Sequence, residues 1–294
     1  MPFTQLAGAS AAAKALAPTA CTTIEEVGST GVGALTLAFL ALTVSTCVMI
    51  AKAASSGPEH RKYYFLNVYI CGISAFAYFA MLSGQGWTAI AGCRQFFYAR
   101  YVDWFMTTAL IILQLGLIAG QDFVSIAAVM GTDMLMVLAG YMGAVSVVTT
   151  VKWFWFILGL SLFMPVIYSL ARTFRETVIT RKDPEMIELY GKIAWLTIIL
   201  WAFYPVVWLF SEGFASFSVS FEVVAYAIMD IISKVVFTFM IVSAHDSLAA
   251  PSMAPAQSRE YVVPQAKELG SRVFRPQDPG LESKGPLVCM SVGL

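Results

Sequence analysis

Two carboxylate–cation pairs stand in stretches that are otherwise apolar. Asp230 and Lys234 lie four residues apart in Ala-Ile-Met-Asp-Ile-Ile-Ser-Lys-Val-Val-Phe, so on a helix they share one face. Arg100 and Asp103 lie three apart in Ala-Arg-Tyr-Val-Asp-Trp-Phe-Met-Thr-Thr, with Thr107 one turn beyond Asp103. Asp133 is a further carboxylate in apolar surroundings. Burial favours the neutral, nucleophilic form of a lysine, and a neutral lysine condenses with an aldehyde to an imine. Once protonated, that imine is a cation and needs a counterion. Asp230 on its own helix and Asp103 on a facing one would supply two carboxylates for one cation, and Arg100 would balance the excess. A purely structural use of the same residues is two helix-internal ion pairs that hold a bundle together.

The elements that must position these groups are membrane spans. Of 294 residues, 59% are hydrophobic and only 12% charged, against about a quarter charged in ordinary globular domains. Mean hydropathy is +0.74. A formal net charge of zero removes the electrostatic basis for nucleic-acid binding. The five cysteines, at 21, 47, 71, 93 and 289, contain no C-x-x-C pair, which argues against a disulfide framework or a structural zinc site. Both histidines, His60 and His245, read as loop- or tail-borne, so no metal site is expected.

A helix needs roughly 20 mostly apolar residues to cross a bilayer. Seven stretches qualify, near 31–54, 64–83, 98–119, 123–147, 153–171, 193–211 and 221–243. The fold class expected is an all-α seven-transmembrane-helix bundle. The first connection carries Arg61 and Lys62, and the fifth-to-sixth connection carries Arg172, Arg175, Arg181, Lys182 and Lys192. The opposite side carries little beyond Arg94 and Lys152, so the positive-inside rule places the amino terminus outside and the carboxyl terminus in the cytoplasm. Residues 1–30 read as an extracellular segment and make a poor signal peptide. Residues 31–248 form the transmembrane domain. Residues 249–294, with six of the twelve prolines, read as a disordered cytoplasmic tail. No internal repeat suggests an inverted-repeat transporter.

An elongated apolar ligand would suit the aromatic pattern. Trp201, Tyr204 and Trp208 share a helical face in Leu-Trp-Ala-Phe-Tyr-Pro-Val-Val-Trp-Leu, and Tyr101 and Trp104 flank Asp103. By itself such a stripe is ordinary core packing. It gains meaning beside Lys234.

Three ordered motifs, Arg-Tyr-Val-Asp-Trp-Phe-Met-Thr-Thr, Trp-Ala-Phe-Tyr-Pro-Val-Val-Trp and Asp-Ile-Ile-Ser-Lys, resemble those of microbial (type 1) rhodopsins, close to bacteriorhodopsin and its eukaryotic relatives, over residues 30–248. The resemblance implies all-trans-retinal bound to Lys234 through a protonated Schiff base. It makes Asp103 the primary counterion and proton acceptor, Asp230 the second counterion, Arg100 the switch arginine below them and Thr107 the partner of the acceptor. Tyr101, Trp104, Trp201, Tyr204, Pro205 and Trp208 match pocket positions, and Met136, Gly140 and Gly159 fall where the family lines the polyene and ring. Thr108 and Asp133 match an inter-helical pair behind the retinal, and Tyr78 a tyrosine beneath the counterions. Glu212 and Glu222 resemble the glutamate pair that releases protons outward; read alone, they are two solvated loop carboxylates.

One position departs from the pattern. Proton-pumping relatives commonly place a carboxyl group eleven residues after the acceptor, three helical turns or roughly 16 Å along the same face. Here that residue is Gln114, whose amide gives up no proton near neutral pH. Asn67 falls where the family places the donor's polar partner, and the two amides are expected to pair. Ala109 replaces a proline, which would leave this helix less kinked. Reprotonation would then come from cytoplasmic water across an apolar barrier, giving a slow late photocycle step.

The function expected is a light-driven outward proton pump with a slow cycle, and not an enzyme in the ordinary sense. The alternative is a sensory rhodopsin signalling through a cytoplasmic transducer. A light-gated channel would want a polar line through the bundle, which the third span lacks from Leu110 to Leu115 apart from Gln114. Asp103 disfavours a chloride pump, and the sodium-pump pattern of Asn at 103 with Asp at 107 is absent. The partners implied are the lipid bilayer, retinal and protons, with room for a homo-oligomer and a transducer; the plasma membrane is the expected location.

Overall fold

The computed structural model describes residues 21–244. Seven helices are long and apolar enough to span a bilayer: α1 (Ser29–Ser55), α2 (Pro58–Leu82), α3 (Tyr98–Ala119), α4 (Phe123–Val145), α5 (Thr149–Thr180), α6 (Pro184–Gly213) and α7 (Val219–Ser243). A two-stranded antiparallel hairpin, β1 (Thr88–Ile90) and β2 (Arg94–Phe96), joins α2 to α3. Consecutive helices are neighbours, α7 returns to α1, and α3 also reaches the last turns of α5 and packs on α6. The third helix is therefore central.

Polar and apolar residues are distributed as a lipid solvent demands. Phe76 is 77% and Val124 77% exposed, whereas Asp230, Asp133, Gln114 and Asn67 are fully buried. Apolar side chains face outward and polar ones satisfy each other inside, because hydrocarbon offers no hydrogen bonds. At the end of the bundle away from the hairpin, Ile111, Ile112, Leu115, Phe174, Val178, Ile193, Phe237 and Ile241 pack into one apolar cluster.

Helix ends follow local chemistry. Asp122 caps α4 by accepting from Ser125 N, and that residue's hydrogen bonds hold the Asp122 carboxyl below the usual range. Asp183 caps α6 by accepting from Glu185 N and Met186 N, with Pro184 at the first helical position. Gly120 closes α3 at φ 73°, a conformation that favours glycine. Three helices contain a turn of π-helix: Ser169–Thr173 in α5, Leu209–Gly213 in α6 and Ile231–Val236 in α7. The first two begin four residues after Pro165 and Pro205. The third contains Lys234.

Three expectations need correction. The charged stretch from Arg172 to Lys192 is mostly helix: α5 continues to Thr180 and α6 starts at Pro184, because capped ends can extend past the apolar span. His60 lies in the first turn of α2 and is buried, not in a loop. Cys21 and Cys93 form a disulfide across 72 residues. No short cysteine spacing was needed, since Glu25 N donates to Cys93 O at 2.8 Å and Gln95 N to Glu25 O at 2.9 Å, laying the segment before α1 along the hairpin. Residues 1–20 and 249–294, and His245, fall outside the described residues.

A bridge closing a loop of this size stabilises by about 2–4 kcal/mol. Reduction, or Cys93→Ser, should therefore lower the thermal unfolding temperature of the detergent-purified protein. Equal melting curves with and without reductant would refute that role.

Candidate functional site: a buried lysine between two carboxylates

The α7 backbone places Asp230 and Lys234 on the inner face, and α3 brings Asp103 to meet them. Lys234 Nζ donates to Asp103 Oδ2 at 2.5 Å and lies 3.3 Å from Asp230 Oδ1. All three side chains are at most 1% exposed. Two anions and one cation leave one excess negative charge in a site shielded from bulk solvent.

The two carboxylates are held differently. Asp230 Oδ1 accepts from Tyr204 OH at 2.8 Å and Trp104 Nε1 at 3.1 Å, and Oδ2 accepts from Tyr78 OH at 2.7 Å. Asp103 Oδ1 accepts from Ser74 Oγ at 2.5 Å and Thr107 Oγ1 at 3.3 Å, while the lysine alone bonds to Oδ2 among the described residues. The stronger bond of Thr107 goes to the Asp103 main-chain oxygen at 2.8 Å. Both Asp230 oxygens already carry neutral donors. Asp103 Oδ2 can take a proton without displacing one.

Beside this cluster is a cavity with an empty volume of about 730 Å³. Tyr101, Trp104, Thr108, Met136, Gly140, Gly159, Trp201, Tyr204, Pro205 and Trp208 line it, together with Val137, Trp155, Phe156, Leu160, Phe163 and Tyr226. Trp104 and Tyr204 belong both to this wall and to the cage around Asp230, so the cavity abuts the lysine. A Cβ on Gly159 would stand 3.7 Å from Ala139 Cβ and from Met136 O, and one on Gly140 would stand 3.6 Å from the Tyr101 ring. Both glycines leave room on the cavity side. Behind the wall, Thr108 Oγ1 lies 2.5 Å from Asp133 Oδ2 and 2.7 Å from Trp104 O, linking α3 to α4.

At the hairpin end the charges pair differently from expectation. Arg100 does not bond to Asp103 or Asp230; its Nη1 donates to Glu222 Oε1 at 2.8 Å, and its guanidinium stacks 4.4 Å from the Tyr226 ring centre. The i, i+3 spacing points Arg100 one turn toward the hairpin, where an anion waits. Glu222 is also held by Arg94 Nη2 at 3.2 Å. Arg94 Nη1 reaches Glu25 Oε2 at 3.0 Å and Phe217 O at 2.7 Å. Glu212 accepts from Tyr101 OH at 3.1 Å through Oε1, its Oε2 has no partner among the described residues, and its main-chain oxygen accepts from Lys152 Nζ at 2.6 Å. Both glutamates are buried rather than solvated, and no hydrogen bond joins them.

The expected amide pair at the other end is not formed. Asn67 Nδ2 donates to Tyr63 O at 2.9 Å and its Oδ1 accepts from Thr238 Oγ1 at 2.8 Å. Neither amide atom of Gln114 has a partner among the described residues. Gln114 is buried on α3, in sequence between Ile111 and Ile118 of the apolar cluster, whereas Asn67 bonds to Thr238 on α7.

Sequence reasoning missed Ser74, Thr238, the role of Arg94, Tyr226 and, apart from Gly159, the α5 wall. Some left a signal: Phe156, Gly159, Leu160 and Phe163 recur at i, i+3, i+4 and i+7, and Tyr226 lies one turn before Asp230. Ser74 lies one turn before Tyr78 on α2.

Fold and site define a membrane-embedded bundle with a reactive amine, its counterions and an aromatic slot for a long apolar ligand. The family model described as bacteriorhodopsin-like protein matches residues 32–248. Archaerhodopsin-1 of Halorubrum ezzemoulense is 30% identical over 207 residues, 69% of this chain and 79% of that protein. Sensory rhodopsin-2 of Natronomonas pharaonis is 34% identical over 215 residues, 73% and 89% of the two chains. A solved light-driven proton pump from Leptosphaeria maculans superposes with a TM-score of 0.72 at 28% identity, covering 76% of this chain and 99% of that one. The chain belongs to the bacteriorhodopsin-like family, the microbial rhodopsins, and is a multi-pass integral membrane protein. Members of this family bind retinal covalently to a lysine as a Schiff base, and Lys234 is the buried lysine among the described residues. The cavity fits that group: its lining, drawn from α3 to α7, is almost wholly apolar and aromatic, and it meets the cage around Asp230 at Trp104 and Tyr204.

Ser74→Ala removes the shorter side-chain bond to Asp103. A hydrogen bond to a charged group contributes about 1.5–3 kcal/mol, so the thermal stability should fall by that order, and Ser74→Thr should restore it. The infrared carbonyl band of protonated Asp103 should move to higher frequency. Wild-type stability together with an unmoved band would show that Ser74 does not hold Asp103.

Proposed function

We propose that this protein is a light-driven outward proton pump of the plasma membrane whose cycle is slow because position 114 holds an amide. The observation that carries the reading is Asp103 Oδ2, bonded to Lys234 Nζ and to no other donor among the described residues. Retinal, when bound to Lys234, supplies light absorption and the change of shape and basicity that starts the cycle.

The chain's own groups then divide the work. Asp103 Oδ2 takes a proton from the Lys234 nitrogen. Tyr78, Trp104 and Tyr204 keep Asp230 in place as a fixed anion while this happens. Once the proton has moved, Lys234 and Asp103 are both neutral and Asp230 is left as the anion of the cluster; the net charge is unchanged but redistributed, and Arg100 answers to that redistribution from its seat on Glu222. Glu222, clamped by two arginines, is a poor proton reservoir; Glu212, with Oε2 free of partners among the described residues, is the better exit group. Arg61, Lys62, Arg175, Arg181 and Lys182 gather at the other end, so that end faces the cytoplasm and the hairpin faces outward. Gln114 and the apolar cluster around it leave no carboxyl group to reload the lysine from that side.

A sensory reading has one specific support. Sensory rhodopsin-2 is among the relatives, and a slow cycle would prolong a signalling state. In that case a transducer would replace net transport.

Illumination of cells expressing the chain with added retinal should acidify the medium, and a protonophore should abolish the change. Asp103→Asn should remove it, and Lys234→Ala should remove the visible pigment altogether. A coloured, photocycling protein with no pH change would refute pumping and favour the sensor. Gln114→Asp should shorten the late phase by roughly tenfold or more, given what a positioned proton donor contributes. An unchanged late phase would show that position 114 does not limit the cycle.

A further inference from the structure

Along α2, Asn67, Cys71, Ser74 and Tyr78 recur at i, i+4, i+7 and i+11, and each is at most 1% exposed. That spacing is a single helical face. Ser74 and Tyr78 serve the two counterions. The other half of the seam is unassigned, and it faces α7. Thr238, one turn beyond Lys234 on α7, donates to Asn67 Oδ1 at 2.8 Å and lies 3.5 Å from Cys71 Sγ. Thr238 has one hydroxyl proton and gives it to Asn67, so in the resting arrangement the thiol donates to Thr238. Cys71 stands one turn before Ser74 on this face, and Ser74 Oγ bonds the same Asp103 carboxylate that Lys234 Nζ bonds. Gln114, by contrast, takes part in no side-chain hydrogen bond among the described residues and sits among Ile111, Leu115 and their neighbours.

We infer that the proton that reloads Lys234 enters along the α2–α7 seam, through Thr238 and Cys71, and not along α3 past Gln114. Hydroxyl and thiol can each donate and accept, which a proton relay needs. After the hydroxyl and thiol turn inward, Cys71 Sγ gives its proton to the Lys234 nitrogen. Thr238 Oγ1 gives its own to the sulfur, and water from the cytoplasmic end restores the hydroxyl. One N–H bond forms, the S–H and O–H bonds are broken and remade, and the net change is one proton taken from bulk water. Asn67 positions Thr238 and carries no proton itself. The inference rests on the retinal-linked proton cycle proposed above, but not on net transport.

The test uses the full chain reconstituted with retinal, following the flash-induced absorbance recovery. Thr238→Val and Cys71→Ala should each slow recovery by on the order of tenfold, short of a full donor's contribution because water can enter the vacated space. Thr238→Ser should restore the wild-type rate. Adding Gln114→Asp to Thr238→Val should also restore fast recovery, since a carboxyl group on α3 makes the seam unnecessary. A second readout needs no light: in the protein without retinal, Thr238→Val should raise the infrared S–H stretching frequency of Cys71. Wild-type recovery in both Thr238→Val and Cys71→Ala overturns the inference. So does a slow Gln114→Asp/Thr238→Val double variant, which would mark the lesion as structural. Recovery is read whether or not the medium acidifies, so a failure of pumping and a failure of this route are separate results.

Discussion

An ammonium ion buried inside a helical bundle persists only while its neighbours compensate it. Removing one partner of a buried ion pair leaves an uncompensated charge and is commonly destabilising by about 3–5 kcal/mol. Lys234, Asp103 and Asp230 form one such unit, and the rest of the bundle is arranged around keeping it together. Asp103 comes from α3, Asp230 and Lys234 from α7. Tyr78 on α2 and Tyr204 on α6 reach the same carboxylate from two further helices. Four of the seven helices are thereby tied to a single charge cluster. In the proposed cycle the same cluster that stabilises the packing is the one whose protonation changes, so stability and function would meet in the same bonds.

The two ends of the bundle are built from different materials. Toward the hairpin, Arg100, Glu222, Arg94 and Glu25 form a chain of ion pairs that ends on the segment before α1, with the Cys21–Cys93 bridge beside it. Toward the other end, aliphatic and aromatic side chains close around α3, and a buried side-chain hydrogen bond between helices joins α2 to α7 at Asn67 and Thr238. In the proposed cycle a proton leaving Lys234 toward the hairpin would meet a chain of charged groups, and one arriving from the other side would meet a largely apolar barrier. That asymmetry would favour one direction of transfer.

Much of this was legible in the residue pattern, and the reasons for the rest are physical. Lys234, Asp230, Asp103 and Thr107 declare themselves because a charge in an apolar run is costly and helical spacing fixes which of them share a face. The aromatic wall on α6 follows from the same periodicity. What periodicity cannot supply is the rotation of one helix against another. Asn67 and Gln114 both sit on inward positions, yet α2 faces Asn67 to α7, and the expected pair is absent. Ser74 and Thr238 are inconspicuous in sequence because a hydroxyl is tolerated in any helix, where it can bond to its own backbone. The Cys21–Cys93 bridge and the Arg94 clamp depend on how a loop folds back over the bundle. No local signal encodes that.

The three π-helical turns all fall on α5, α6 and α7, and none on the first four helices among the described residues. In such a turn the backbone carries a residue more than a regular turn, and carbonyls can exchange one amide partner for the next at little cost. Asp103, Ser74 and Tyr78 stand on regular helix, whereas Lys234 stands inside the wide turn at Ile231–Val236. The bundle is thus divided into an anvil and a spring: Asp103 is mounted on regular helix, and the lysine arm that the proposed cycle would move against it is mounted on a wider turn.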